Sequence, residues 1–280
     1  MKGKTILSAA VAALAMLAGC ASAGQQTERP AAIGDGFIRV EGGTFLMGHP
    51  DGGIRDNNEA PVRSVTISTF HMARFPVTQG EWYDLVGENP SYFQADKAAG
   101  GTSWRNHPVE RVNWLEAVQF ANAKSERAGL TPAYTISGTT VTWNRQANGY
   151  RLPTEAEWEF AARGGIVCQE NFTFAGSNTV ADVAWLRETS GGTTHPVGSL
   201  VPNALGLYDM NGNVYEWMWD WYGPYPSIAE TDPAGPSEGT TRVRRGGCRN
   251  CQAWYVTATF RNGFNPEART GGIGLRLARS

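Results

Sequence analysis

The sequence has 280 residues and sets 24 Lys and Arg against 26 Asp and Glu, a formal net charge of −2. That balance offers no basic footprint for phosphates, which argues against nucleic acid as a partner, and no Gly-x-x-x-x-Gly-Lys loop or His-Glu-x-x-His helix is present. Its 34 glycines and 10 tryptophans describe a turn-rich, aromatic-rich chain with much irregular backbone, which argues against a helical bundle.

The chain opens on Met1-Lys2-Gly3-Lys4, continues with an apolar run from Thr5 to Ala18 and reaches Cys20. A basic start, a short apolar stretch and small residues at the cut make a secretory signal. The run is too short to span a bilayer comfortably. Leu17-Ala18-Gly19-Cys20 resembles the lipobox of bacterial lipoproteins. That likeness implies cleavage before Cys20 and acylation of its sulfur and new amino group. The protein would then sit in the cell envelope, anchored to the outer membrane or the cell surface. An ordinary cut between Ala21 and Ala23 is the alternative. Buried acyl chains add about 0.8 kcal/mol per methylene, enough in combination for stable anchoring. Residues 21–35 are small, polar and proline-containing, and read as a flexible tether. Residues 36–280 then form one domain. Without Lys2 and Lys4 the balance is 22 basic to 26 acidic residues. Besides Cys20 there are Cys168, Cys248 and Cys251. Three is an odd number for an exported chain and leaves at least one unpaired or in an unusual role.

Phe37–Val40 and Thr44–Met47 read as short strands around Gly42-Gly43, and the alternation from Val62 to Phe70 as one further strand. Asp51 to Asn58 is a polar loop. Three helices share one start signal: Thr78 before Glu81, Asn113 before Glu116 and Thr154 before Glu157. In each, a capping side chain precedes a glutamate by three positions, so that the two can satisfy each other's backbone donors. Gly87, Gly129 and Gly164 stand where these helices should end left-handed. Trp82, Leu85 and Val86, then Leu115, Val118 and Ala121, fit buried helical faces. After Gly165 few runs are long enough for regular structure.

Seven blocks resemble the sulfatase-modifying-factor family, whose enzymes generate formylglycine. They are Gly43-Thr-Phe-Leu-Met-Gly48, Phe75-Pro-Val-Thr-Gln79, His107-Pro-Val-Glu-Arg-Val-Asn-Trp114, the run from Gly149 to Gly165, the run from Asn203 to Trp217, Arg245-Gly-Gly247 and Gly274-Leu-Arg276. The resemblance implies an α+β fold, the formylglycine-generating-enzyme variant of the C-type lectin fold, low in regular structure.

It also implies sites. A family calcium ion falls on the Asp209 side chain, the Gly212 and Val214 carbonyls and the Glu216 side chain, and a turn offering carbonyls between two carboxylates suits calcium. The family's enzymes oxidise a sulfatase cysteine with molecular oxygen and copper(I), held by two thiolates five residues apart. Soft thiolates suit that ion. The first falls on Cys251, but the second falls on Val256, which ligates nothing. The serine that positions oxygen falls on Cys248, and a partner tryptophan on Tyr215. Copper is therefore not expected unless Cys248 and Cys251, a C-x-x-C pair, converge to hold it or another soft metal. In extended backbone residues three apart point to opposite faces, so convergence needs a turn. A disulfide, or two plain thiols, are the other readings of the pair.

Between framework residues such as Arg245, Arg261 and Arg276, the stretch from Gly247 to Leu277 carries residue types that resemble the adenine-mutated variable region of diversity-generating retroelement proteins. Trp254 does not fit that scheme. Arg249, Asn250, Trp254, Val256, Phe260, Asn262 and Phe264 are the expected ligand-binding face for a protein or surface ligand, with aromatics as anchors, while Arg261 and Arg276 should be buried and paired. Three functions stand open: a surface ligand-binding protein, a copper-dependent oxidase, and a structural accessory lipoprotein of an envelope complex. The anchor is tested by Cys20→Ser, which should shift the protein out of the detergent phase on phase partition. An unchanged membrane fraction would remove lipidation.

Overall fold

The computed structural model describes residues 32–33, 36–53, 58–94, 96, 101–168 and 171–280. The signal segment and Cys20 lie outside the described residues. Strand β1 (Ala32–Ile33) pairs antiparallel with β2 (Phe37–Val40). The tether expected over 21–35 therefore gives way to an edge strand before residue 36. Strand β3 (Gly43–Met47) pairs with β4 (Arg63–Ile67), and β5 (Phe70–Ala73) pairs with β2. The single strand expected over 62–70 is thus two strands in two sheets. The break has a tertiary cause: the Ser68 amide and hydroxyl both donate to the Asp232 carboxylate, at 2.7 and 2.6 Å. Gly42 packs so tightly on the break that a Cβ there would lie 2.5 Å from the Ile67 carbonyl oxygen.

Helices α1 (Gln79–Val86), α2 (Trp114–Arg127) and α3 (Glu155–Ala162) each carry the reciprocal capping box read from the sequence. Gly87, Gly129 and Gly164 all take positive φ, as a left-handed helix exit requires. The buried faces largely match expectation: Trp82, Val118 and Ala121 are buried, and Trp82 stacks 4.7 Å from Phe120 of α2 with Leu85 packed on the core beside it, whereas Val86 is exposed.

A hairpin of β6 (Tyr134–Ser137) and β7 (Thr140–Trp143) follows α2. After α3 come the single turn α4 (Val180–Val183), β8 (Ala184–Trp185), β9 (Asn211–Gly212) and the seven-residue β10 (Tyr215–Trp221). Then follow β11 (Glu230–Thr231), β12 (Arg242–Arg245), β13 (Arg261–Phe264), β14 (Ile273–Gly274) and β15 (Ala278–Arg279). One sheet runs β13-β12-β10-β14, and β15 completes another in the order β1-β2-β5-β15, joining the two ends of the described chain. Regular structure after Gly165 thus exceeds expectation. Strand β10 reads Tyr-Glu-Trp-Met-Trp-Asp-Trp and is buried along most of its length, so it shows none of the apolar–polar alternation that marks a half-exposed strand.

All eight residues of α3 are buried, including three glutamates. Glu155 takes both a Nε and a Nη2 hydrogen bond from Arg261, at 2.8 and 2.7 Å. Glu157 takes two from Arg151, each 2.7 Å. Glu159 is shared between Arg245 and Arg163. One helix position along, Trp158 donates 2.7 Å to Glu216 of β10, which pairs with Arg276. Removing one partner of such a pair strands a buried charge and costs about 3–5 kcal/mol. Burial alone would raise the Glu155 pKa, but the Arg261 guanidinium outweighs it and holds the carboxyl below its ordinary range.

Asp220 is the exception in this frame. It accepts the Glu155 amide at 2.8 Å and has no arginine of its own among the hydrogen bonds and ion pairs of the described residues. Burial, and then the Glu155 charge, push it up to about 8 from the ordinary 3.8. A carboxyl raised in the native state binds more proton folded than unfolded, so its contribution to stability falls as pH rises from about 4 to about 8. Asp220→Asn should remove this slope: urea titrations should show wild type losing stability relative to the variant between pH 5 and 9. Parallel curves would contradict the assignment.

Candidate functional site

Strand β12 leaves its sheet through Gly246 and Gly247, at φ 90° and 74°. A Cβ on Gly247 would sit 2.4 Å from Val256 Cγ1 and 2.5 Å from the Tyr255 carbonyl oxygen. Glycine is therefore required twice over, by conformation and by space. The exit feeds a tight turn, Cys248-Arg249-Asn250-Cys251, closed by the Cys251 amide donating 2.8 Å to the Cys248 carbonyl. The turn brings the sulfurs to 2.7 Å, which is the convergence that extended backbone forbids. It is held from outside as well. The Ser190 hydroxyl donates 2.7 Å to Arg249 O, the Arg187 amide 2.9 Å to Cys251 O, and the Arg249 amide 2.9 Å to Asn213 O.

The thiols are inequivalent. Hydrogen bonding from Cys248 lowers the Cys251 pKa, with the Tyr215 hydroxyl 3.5 Å away and the Arg244 charge helping, while the same bond raises Cys248. The Arg244 guanidinium lies 4.1 Å from the Tyr215 ring and 3.9 Å from the Phe264 ring, and its buried Nε has no hydrogen-bond partner. Sequence reading passed over Arg244. The usable signal was the alternation of Arg242 and Arg244 on one face of a strand. To hold one metal ion the sulfurs would have to part, because two metal–sulfur bonds of about 2.3 Å at a tetrahedral or wider angle set them about 3.8 Å or more apart.

The expected ligand-binding residues divide. Asn250 is exposed, and Arg249, Trp254, Asn262 and Phe264 are half-buried. Val256 and Phe260 are core residues, at 0% and 7% exposure, and drop out of the face. Val256 is pinned under Gly247, and Phe260 packs edge-on to Tyr255 at 5.0 Å. Arg249 lies 4.0 Å over the ring of Phe93, a residue the sequence reading did not select. Gly271 and Gly272 floor the space between: a Cβ on the first would touch Glu110, Phe93 and Arg249, and on the second Arg249 and Cys248. Contacts thus run without a gap from Phe93 through Arg249, Cys248, Cys251, Tyr215 and Arg244 to Phe264. The framework arginines behave as expected. Arg261 and Arg276 are buried and paired.

The expected calcium ligands are differently engaged. Both Glu216 oxygens accept from Arg276, and one also from Trp158. Arg276 donates further to the Ala73 and Tyr208 carbonyls. A guanidinium already fills the cationic role at this carboxylate. Asp209, at φ 54°, accepts from the Gly198 amide at 2.7 Å and the Asn213 side chain at 3.2 Å. In this arrangement calcium at Asp209, Gly212, Val214 and Glu216 would have to displace Arg276 from Glu216 and gather further oxygens, since the ion takes six to eight.

The model of the sulfatase-modifying factor enzyme 1-like domain matches residues 22–280. The chain belongs to this family. It is 35% identical to a Paenibacillus barcinonensis protein called chaperone protein LppX, over 99% of each chain. It is 30% identical to the formylglycine-generating enzyme of Streptomyces coelicolor, over 87% of this chain and 88% of that protein. Among solved structures, Treponema denticola variable protein 1 is similar at a TM-score of 0.77 and 33% identity, covering 87% of this chain and 95% of that one. The fold is accordingly the α+β formylglycine-generating-enzyme type that the sequence blocks implied. Within that family fold the strand at Glu216 depends on Arg276. Glu216→Gln should lower unfolding free energy by about 3–5 kcal/mol, whereas chelator should leave the melting temperature unchanged. A chelator-induced fall reversed by added calcium would restore the calcium reading.

Proposed function

We propose that this protein is a lipid-anchored binding protein of the cell envelope, which uses the family frame to present its C-terminal face to a partner and does not generate formylglycine. The observation that carries this reading is the split between frame and face. Arg245, Arg261 and Arg276 are buried and ion-paired, while Arg249, Asn250, Trp254, Asn262 and Phe264, interleaved with them in sequence, reach the surface. Changes at the second set leave the first intact, so the face can vary at little cost to the fold. Half-buried aromatics beside a stacked guanidinium supply rigid contact area of the kind that dominates binding energy. A protein is the favoured partner, because a relative spanning the whole chain bears the name of a chaperone. A structural neighbour bears the name of a variable protein, which supports a diversified face. Nucleic acid is disfavoured by charge.

Anchoring rests on Cys20 and the sequence before it. No helix among the described residues is long and apolar enough to cross a membrane, so attachment in this reading comes from the acylated cysteine.

Against oxidase chemistry stands Val256, fully buried where the family's second thiol belongs. A sulfatase-type cysteine peptide incubated with the protein, with or without copper, should gain no aldehyde. Cys251-dependent aldehyde formation would move the reading to the oxidase. The face itself is tested by a photoreactive residue at Asn250, with one at exposed Ile228 as control. A discrete adduct should form in the native envelope at position 250 only. It should vanish when Arg249, Trp254 and Phe264 are replaced together by alanine, while cooperative unfolding is retained. Equal labelling at both positions, or survival of the adduct in the triple variant, would defeat the proposal.

A further inference from the structure

We infer that Cys248 and Cys251 form a redox couple that undergoes thiol–disulfide exchange, with the sulfur–sulfur bond of an external disulfide as its substrate. The inference stands on geometry and does not depend on the binding reading above. Two thiols in one turn exchange efficiently only if the second can reach the first without rebuilding the backbone. Here the turn is closed by its own hydrogen bond and clamped by Ser190, Arg187 and Asn213, with the sulfurs 2.7 Å apart. The two glycines before it make the approach possible. Asn250 Oδ1 lies 2.9 Å from Cys248 Sγ, and the Tyr215 hydroxyl lies 3.5 Å from Cys251 Sγ. Cys251 is also the more exposed of the two, at 9% against 5%, and a guanidinium that stacks on rings rather than pairing with a carboxylate stands beside it. Both sulfurs are nonetheless buried, and it is the adjacent positive charge that favours the reactive thiolate on Cys251.

The chemistry balances as two steps. The Cys251 thiolate attacks one sulfur of the external disulfide, that bond breaks, and one thiolate leaves, giving a mixed disulfide on Cys251. Cys248 then gives its proton to solvent and attacks Cys251 Sγ. The internal disulfide forms and the second thiolate leaves. One external disulfide is reduced to two thiols while two cysteines are oxidised to one disulfide, a two-electron exchange that runs in reverse with external thiols.

The test uses the full chain carrying Cys20→Ser and Cys168→Ser, so that only this pair remains. It is incubated with oxidised glutathione, or with disulfide-bonded insulin, and then quenched and read by mass spectrometry. The protein should lose both thiols and retain no adduct, and dithiothreitol should restore them. A faster reaction with glutathione would mark a small-molecule disulfide as the substrate, and a faster one with insulin a polypeptide disulfide. Adding Cys248→Ser should trap one glutathione on Cys251, with cooperative unfolding retained. Persistence of both thiols with either probe, or a stable glutathione adduct when both cysteines are present, would overturn the inference.

Discussion

Three glutamates on a helix with no exposed residue would be ruinous if left alone, and the arrangement around α3 exists to prevent that. Glu155 and Glu159, one turn apart, face Arg261 and Arg245, which arrive from strands about a hundred residues later in the chain. Glu157 faces back to Arg151 and closes its own helix cap. Each carboxylate takes two or more charge-assisted hydrogen bonds, the condition under which burial of charge is tolerated. Because the arginines sit on β12 and β13, satisfying the helix also fixes the C-terminal sheet against it. Glu216 and Arg276 repeat the device on β10, tied to α3 through the Trp158 indole.

The surface chemistry hangs from that frame. Arg245 is followed at once by the glycine pair and the cysteine turn, and Arg261 by Asn262 and Phe264. Alternation along β12 then separates the roles: Arg245 points into the ion-paired core, and Arg244 points to the Tyr215 and Phe264 rings beside the thiols. A segment whose ends are pinned can carry half-exposed residues between them without loosening. This is why the same stretch holds both fully buried arginines and half-exposed Arg249, Trp254, Asn262 and Phe264.

What was legible in the sequence is what depends on near neighbours. The capping boxes, the glycine exits of the helices and strands β2 and β3 are decided within a few residues, and all were readable. The strand break at Ser68 was not, because its cause is Asp232, far along the chain. Strand β10 hid because burial on both sides erased its period. Glu216 suggested calcium because a carboxylate near glycine carbonyls is a reasonable cation site. Only the fold reveals that its cation is Arg276, sixty positions away. Val256 and Phe260 were taken as surface for a similar reason: a coil-rich segment gives no periodicity from which to tell inside from outside. The approach of Cys248 to Cys251 lay one step beyond the motif, in the left-handed glycines before it.

Helix α3 holds the C-terminal sheet through buried charge, and a double-mutant cycle on Glu155 and Arg261 tests this most directly. Unfolding free energies are measured for wild type, Glu155→Gln, Arg261→Met and the double variant. A coupled buried pair predicts that each single change is severely destabilising and that the double variant recovers at least about 2 kcal/mol relative to their sum. Additive losses would mean that the two residues act independently, and would contradict the frame on which the face is built.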